Sequence, residues 1–325
     1  MNTRYPVLDL LADGHFHSGE ELGLTLGLTR AAVWKQLQGL RQQGLSISSI
    51  PGKGYRLAGD TELLAVESII AQLSESHRAL LEPIEVFHRI DSTNAYLLSQ
   101  PLPSYGLGRL CLAEQQTAGL GRRGRTWHSP FARNLYFSLA WQFDSGAETL
   151  GGLSLALGVA LVRSLRRLGV KDAGLKWPND IHCTRGKLAG ILVELCGDLA
   201  DASCAVIGVG VNVGMAADAS LHIDQPWSDL TQCLGRAVSR NRLAAAVITD
   251  LLIMLGEFRE QGLAGLMNEW CSCDLTHGRQ IDLHLPREHV SGTACGIDES
   301  GALLVNVDGR VQRFTSGEVS LRITQ

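Results

Sequence analysis

Three glycines and three arginines crowd the nine residues from Gly119 to Trp127 (GLGRRGRTW), and this run limits both the fold and the ligand the chain can take. No carboxylate lies between Glu114 and Asp144, whereas Arg122, Arg123, Arg125 and Arg133 all fall in that window. Glycine lets backbone N–H groups come close to a ligand and adopt positive φ, and guanidinium forks match phosphate or carboxylate oxygens. The spacing Gly119-x-Gly121-x-x-Gly124 matches the dinucleotide fingerprint, but that turn must open straight into an apolar helix. Here Gly124 is followed by Arg-Thr-Trp-His-Ser-Pro and then the strand-like Asn134 to Trp141, so a nicotinamide-binding doubly wound fold is set aside. A mobile anion-binding loop and a basic surface loop without a ligand both remain, and the three glycines favour the first.

The length of 325 residues points to two or three domains, and 45% hydrophobic residues are enough for a large core. A formal net charge of −4 gives no global attraction to nucleic acid, so any such binding must come from a local module. The cysteines at 111, 183, 196, 204, 233, 271, 273 and 295 form no CxxC pair, and free thiols in a reducing compartment are the expectation. With no signal-peptide pattern and no apolar run long enough to span a bilayer, a cytoplasmic protein without membrane attachment is expected.

Residues 5–43 read as three short helices. Ser18 and Glu21 form the reciprocal pattern of a capping box, Thr29 caps the third helix, and Val33, Leu37 and Leu40 make its buried stripe. Its other face carries Arg30, Trp34, Lys35, Gln38 and Arg41, as a recognition helix would. Ile47 to Leu57 then reads as a hairpin tipped by Pro51-Gly52-Lys53-Gly54, the wing of a winged helix. Six basic against four acidic residues in 1–58 is a modest surplus, so one copy should bind DNA weakly and two copies on a symmetric site are expected. A small helical protein-contact domain is the competing reading.

In the central region Glu62 to Leu73 reads as a helix and Glu85 to Ile90 as a strand running into Asp91-Ser92-Thr93-Asn94, a helix start whose free N–H groups suit polar ligand atoms or a plain cap. A helix follows at Leu153 to Leu168. In Lys176-Trp177-Pro178-Asn179-Asp180, proline excludes a central strand, so Asn179 and Asp180 sit where the chain leaves a sheet, suited to ribose or magnesium or to a simple turn. Lys187 heads a short element to Glu194 at the end of a hairpin. Gly208 and Gly210, inside the apolar strand Ala205 to Val213, suggest a ligand or backbone lying close against it. Leu243 to Glu260 reads as an amphipathic helix. From Asp274 onward five short strands (280–285, 292–297, 302–307, 311–314 and 318–323) read as a small SH3-like barrel.

Taken in order, DSTN at 91–94, QQTAGLGRRGRTW from Gln115, KWPND at 176–180, KLAGILVE at 187–194 and GVGVN at 208–212 resemble the bifunctional biotin protein ligases. The winged-helix front end marks the subgroup that also represses the biotin operon. The resemblance covers essentially the whole chain. It implies an α+β multidomain protein: a winged helix-turn-helix at 1–58, a central mixed-sheet α/β ligase domain of class II synthetase type at 61–273, and the SH3-like β-barrel at 274–325.

The activity implied has two steps. Biotin and ATP form biotinyl-5′-AMP and pyrophosphate, and a lysine of the biotin carboxyl carrier protein of acetyl-CoA carboxylase then takes the biotinyl group. By resemblance Lys187 and Arg122 are the catalytic cations at biotin's carboxylate or the phosphate. Ser92, Thr93, Asn94 and Gln116, with Leu120, Gly121 and Gly190, belong to the biotin pocket. Trp127, Asn179, Asp180 and Asn212 lie around the adenylate, with Arg322 a weaker nucleotide contact. Gly19, Arg30, Trp34, Lys35, Gln38, Arg41 and Lys53 are the DNA-binding candidates. No metal site is fixed by the protein alone, and Mg²⁺ comes with ATP, near Asp180. Biotinyl-5′-AMP acts as corepressor, the adenylate-bound form being a homodimer joined through the edge of the central sheet, where the carrier protein otherwise docks. One position departs from the family: Leu120 stands where the loop usually carries arginine. Two rivals are a transcription factor that senses a small molecule without catalysis, and a lipoate-type ligase with a related catalytic domain.

Overall fold

The computed structural model describes residues 3–59, 61–144, 146, 150–198, 202–215, 223–285, 288–315 and 320–323. The N-terminal module consists of α1 (Pro6–Leu11), α2 (Gly19–Leu26), α3 (Arg30–Gln42) and the hairpin β1 (Ile47–Ile50) and β2 (Gly54–Leu57). Its local signals are realised as hydrogen bonds. Ser18 Oγ accepts from the Glu21 N–H at 3.0 Å while Glu21 reaches back to the Ser18 N–H, and Thr29 Oγ1 accepts from the Ala32 N–H at 3.2 Å. Val33, Leu37 and Leu40 are buried against Val7, Leu8, Leu11 and Leu22.

The central unit is a seven-stranded mixed sheet of β3 (Leu81–Phe87), β4 (Gly108–Ala113), β5 (Leu135–Gln142), β6 (Gly174–Lys176), β7 (Asp180–Cys183), β8 (Gly186–Asp198) and β9 (Ala202–Val211). Their order is β3-β4-β5-β9-β8-β7-β6, with β3 and β4 parallel and the other pairs antiparallel. Strand alternation gives the sheet two different faces. Leu135, Phe137 and Leu139 of β5 and Ile207, Val209 and Val211 of β9 turn into the main core. There they meet α7 (Leu153–Leu168) and α9 (Arg240–Gln261), beside the short helices α4 (Val66–Ile70) and α8 (Leu230–Leu234). The opposite face carries α6 (Thr93–Leu98) over Ala113, Ala140 and Val206 and then opens into a cleft. Helices α5 (Glu75–Arg78) and α10 (Met267–Cys273) complete the unit.

The C-terminal sheet is antiparallel, with β10 (Gln280–His284), β11 (His289–Ile297), β12 (Leu303–Val307), β13 (Arg310–Phe314) and β14 (Ser320–Ile323) in the order β13-β12-β11-β10-β14. Its apolar face joins the main core through Ile281, Leu283, Leu303 and Val305, and the Trp177 indole N–H donates to the Gly301 carbonyl at 3.1 Å. The winged helix docks differently. Phe131 and Ala132, just beyond the glycine–arginine loop, belong to its core, and His88 Nδ1 accepts from the Tyr5 N–H at 2.7 Å.

Several elements differ from the sequence-based expectation for identifiable reasons. The helix expected over 62–73 shrinks to α4, because the Leu64 and Ala65 N–H groups donate instead to the side chains of Glu114 (2.5 Å) and Asn241 (2.9 Å). The strand expected at 85–90 lies at 81–87 and includes Pro83. Asp180 does not leave the sheet but opens β7, so that Trp177-Pro178-Asn179 is the turn between two strands. Lys187 stands near the start of a 13-residue strand rather than a short element. Among the described residues no helix is long and apolar enough to cross a membrane.

Candidate active site

The open face of the sheet forms a cleft of about 1540 Å³, lined at one end by the start of α6 and at the other by the turn of β6 and β7 and by β14. At the α6 end, Ser92, Thr93 and Asn94 are buried at the helix start, where side chains take up the backbone donors: the Ser92 N–H donates to Asp91 Oδ1 at 2.8 Å and the Ala95 N–H to Ser92 Oγ at 3.4 Å. Thr93 donates to Gln116 Oε1 from its N–H at 2.9 Å and from its hydroxyl at 3.1 Å. The Ser138 hydroxyl points at Thr93 Oγ1 (2.6 Å) and Asn94 Oδ1 (2.5 Å), and Asn94 Nδ2 donates to Glu194 Oε2 at 2.7 Å. Gln116 Nε2 turns toward Ser129 Oγ at 3.5 Å. A pocket end this polar and this well satisfied suits a neutral ligand with its own donors and acceptors.

Further along the cleft the character becomes cationic. Arg122, Arg123, Arg125, Arg166, Lys176, Arg185, Lys187, Arg279 and Arg322 line it, against Asp172, Asp180 and Asp224. Lys187 Nζ lies 2.7 Å from Asp180 Oδ1 and 5.2 Å from the centroid of the Trp127 ring. Burial works against the charge of Asp180, but Lys187 and the neighbouring His182 outweigh it and hold the carboxyl well below the usual carboxylate range. Burial lowers the pKa of Lys176 against the pull of Asp180, and does the same to His182. The cations are thus crowded and partly desolvated, a setting that strengthens their hold on an anion.

The glycine–arginine loop reaches over this region. Arg122 Nη1 donates to Asn179 Oδ1 at 3.4 Å, Arg123 and Gly124 take left-handed φ values of 60° and 68°, and Leu120 and Gly121 stand on the cleft wall, Leu120 49% exposed. The loop ends with the Trp127 indole laid on the sheet. A Cβ at Gly210 would sit 2.5 Å from Trp127 Cε2, one at Gly190 would meet Trp127 Cζ3 at 3.1 Å, and one at Gly208 would sit 2.3 Å from Asn94 Oδ1. The glycines of β9 therefore make room for side chains of this protein, Trp127 and Asn94, and the expectation of a ligand or backbone against them is corrected on that point.

Asn179 and Asn212 also line the cleft, but they spend amide hydrogens on the backbone. Asn179 Nδ2 donates to the Ile191 carbonyl at 2.6 Å, and Asn212 Nδ2 donates to the carbonyls of Lys187 (3.2 Å) and Ser228 (3.1 Å), fixing the start of β8. Arg322 reaches the cleft from β14. Ser138, Glu194, Lys176 and His182 were not singled out by sequence reasoning. Ser138 alone carried a signal, as the polar residue at an alternate position of the apolar strand LYFSLAWQ.

On the winged helix, Arg30, Trp34 and Lys35 are exposed along α3, Gln38 is half-buried, and Lys53 stands exposed in the wing turn. Gly19 is buried at the start of α2, under Arg30 and Tyr55. Arg41 turns inward: its Nε and Nη2 donate to the Ile47 carbonyl at 3.1 and 2.8 Å, bracing the wing against α3.

Comparison with known proteins gives concordant matches along the chain. Residues 6–56 match an HTH domain, 86–212 the biotin/lipoate A/B protein ligase family, and 276–322 the biotin protein ligase C-terminal domain. The chain is 42% identical to the bifunctional ligase/repressor BirA of Escherichia coli, over 97% of this chain and 96% of that protein. It is 33% identical to the biotin--[acetyl-CoA-carboxylase] ligase of Mycobacterium tuberculosis, over 73% of this chain and 88% of that one. Among solved structures, a biotin protein ligase from Aquifex aeolicus in complex with biotin and ATP superposes with a TM-score of 0.62 at 28% identity, covering 75% of this chain and 99% of that one.

Proposed function

Because this chain belongs to the biotin protein ligases, in their branch of bifunctional ligase/repressors, we propose that its cleft joins biotin to ATP between the α6 pocket and the Lys187 cluster. It is an ATP-dependent biotin--[acetyl-CoA-carboxylase] ligase carrying a helix-turn-helix repressor domain, with carrier protein and DNA as partners. The observation that carries the site assignment is the cleft's polarity, neutral and hydrogen-bonding at Thr93 and Gln116, cationic at Lys187.

In this reading the ureido ring of biotin lies against Ser92, Thr93 and Gln116, which directs its carboxylate along the sheet to Arg122 and Lys187. A carboxylate oxygen then attacks the α-phosphorus of ATP as the bond to pyrophosphate breaks. Both reactants are anions, so Lys187 and Arg122 act by bringing them together and by meeting the charge that builds in the transition state. Lys176, Arg125 and Arg322, which line the cationic stretch of the cleft, would hold phosphate oxygens in this reading. Trp127, on the Gly190 and Gly210 surface, supplies an aromatic face for the adenylate and shields the mixed anhydride from water. In the second step the ε-amine of the carrier lysine attacks the acyl carbon, and AMP leaves with the bonding electrons.

Among the described residues no three or more His, Cys, Asp or Glu side chains are grouped to hold a metal ion, and Asp180 is already paired with Lys187. Mg²⁺ would arrive with ATP and neutralise triphosphate charge, with Asp180 as the carboxylate proposed beside it.

As repressor, the protein pairs as a homodimer through the edge of the central sheet when the adenylate is bound, and presents two recognition helices to a two-fold symmetric operator, with Arg30, Trp34, Lys35, Gln38 and Lys53 at the DNA. The carrier protein competes for the same edge. A ligand held preferentially by the dimer shifts assembly by mass action. Operator affinity, measured by fluorescence anisotropy at fixed salt, is expected to rise when biotin and ATP are added together and to fall again with unmodified carrier protein. Operator binding that ignores biotin would contradict the account.

A further inference from the structure

Residues 3–5 pair with the segment that follows β3 and hold one side of the winged helix to the ligase domain. The Thr3 N–H donates to the Arg89 carbonyl at 2.7 Å, and the Arg89 N–H donates to the Thr3 carbonyl at 3.0 Å. Arg4 lies 5.4 Å from the centroid of the Phe87 ring, and the Tyr5 ring stacks on the His88 imidazole with centroids 6.0 Å apart. The N–H of Tyr5, the residue before α1, donates to His88 Nδ1 at 2.7 Å. This bond decides the state of the imidazole. A backbone N–H only donates, so Nδ1 carries a lone pair and the proton of the neutral ring sits on Nε2, 3.3 Å from Asp9 Oδ1 of α1. His88 is 6% exposed, so a proton on Nδ1 would set two N–H donors against each other in a buried contact.

We propose that His88 is a pH-sensitive latch between the winged helix and the ligase domain: its neutral ring holds residues 3–5 in place, and its protonation releases them. Burial lowers the pKa of His88; Asp9 from α1 and Glu114 from just beyond β4 pull the other way, and Arg4 adds to the lowering. Glu114 is already paired with Arg240 and accepts from the Leu64 N–H. The other seam, where Phe131 and Ala132 enter the winged-helix core, is apolar and has no proton to exchange. The sign follows from the held ring being the weaker base. A released, solvated His88 takes up its proton near the ordinary value of about 6.5, so the latch is at full strength above that pH. Below it the latch weakens by up to about tenfold per pH unit, for one proton gained on release, until the held ring titrates too. The latch also sits at a junction. Next along the chain, the Ile90 N–H donates to the Gln115 carbonyl at 3.1 Å and the Ile90 carbonyl accepts from the Thr117 N–H at 2.9 Å, so the winged helix is held where the chain turns toward α6 beside the start of the 115–133 loop.

The test is backbone hydrogen exchange of the full-length protein at about pH 7.5 and about pH 5.0, on either side of the ordinary histidine pKa, read as protection factors so that the intrinsic pH dependence of exchange cancels. The amides of Thr3, Tyr5 and Arg89 are expected to lose roughly tenfold in protection at the lower pH, while those of α9 keep theirs. Asparagine carries an acceptor oxygen on Cγ, as histidine carries Nδ1, and does not titrate. His88→Asn is therefore expected to hold the protection of these amides within about threefold at both pH values. His88→Leu cannot accept from Tyr5 and is expected to show roughly the tenfold loss already at the higher pH. Protection in the parent that is the same at both pH values would overturn the latch, as would a His88→Asn protein that loses protection in acid as the parent does. An equal loss in α9 would mark acid unfolding of the whole chain and overturn it as well.

Discussion

Replacing Lys187 by methionine is expected to lower biotin-dependent pyrophosphate exchange by roughly 10²–10³-fold or more, the range for losing one preorganised charge donor at a reacting anion. The ammonium lies 2.7 Å from Asp180 Oδ1 and 5.2 Å from the centroid of the Trp127 ring, and among the described residues no backbone hydrogen bond depends on it. Its carbonyl still receives Asn212 Nδ2 and the Ser228 N–H (3.0 Å), so the start of β8 keeps its place. The variant also removes the main charge that opposes burial at Asp180, whose pKa should therefore rise. Adding Asp180→Asn is expected to recover any lost stability without recovering activity. A Lys187→Met protein with exchange within a few-fold of the parent would remove Lys187 from the chemistry.

The largest effect on stability is expected at the pair of Glu114 and Arg240, both almost completely buried. Arg240 Nη1 donates to Glu114 Oε2 at 2.7 Å and to the Asn134 carbonyl at 3.2 Å, Glu114 Oε1 accepts from the Leu64 N–H at 2.5 Å, and Arg240 Nη2 donates to the Glu62 carbonyl. These contacts tie the segment entering the central domain to both ends of the 115–133 loop, because Glu114 precedes the loop and Asn134 follows it. Glu114→Met leaves a buried guanidinium without its counter-charge, a change that costs about 3–5 kcal/mol in comparable pairs. For a domain of this size that corresponds to a fall in Tm on the order of 10 °C. Glu114→Met/Arg240→Met removes both charges and is expected to regain much of the loss, since a matched apolar pair needs no desolvation. Equal thermal midpoints for Glu114→Met and the parent would show that the pair contributes nothing net.

This pair also shows where reading the sequence stops. The caps at Ser18 and Thr29, the stripe of Val33, Leu37 and Leu40, and the helix from Leu153 to Leu168 were legible because each is decided within a few residues. The DSTN, GLGRRGRTW, KWPND and GVGVN motifs were legible as motifs, and the fold brings residues of all four into one cleft. What local spacing does not encode is partnership across long sequence separations. Glu114 is 126 residues from Arg240, and the Glu62 region that it pins reads as helix from pattern alone. In the same way the strand glycines announce a close approach but not its identity, which only the arrival of Trp127 and Asn94 reveals. Arg41 has the composition of a DNA contact, and its bond to the Ile47 carbonyl depends on where the wing folds back.

The central claim, that one cleft activates biotin as its adenylate and delivers it to a carrier lysine, is tested most directly by the mass of an acceptor domain. The acceptor is incubated with the protein, ATP, Mg²⁺ and either biotin or lipoate. The account predicts that the acceptor gains one biotinyl group with biotin, nothing with lipoate, and nothing with the Lys187→Met variant. Lipoylation of the acceptor, or biotinylation that persists in the variant, would contradict it.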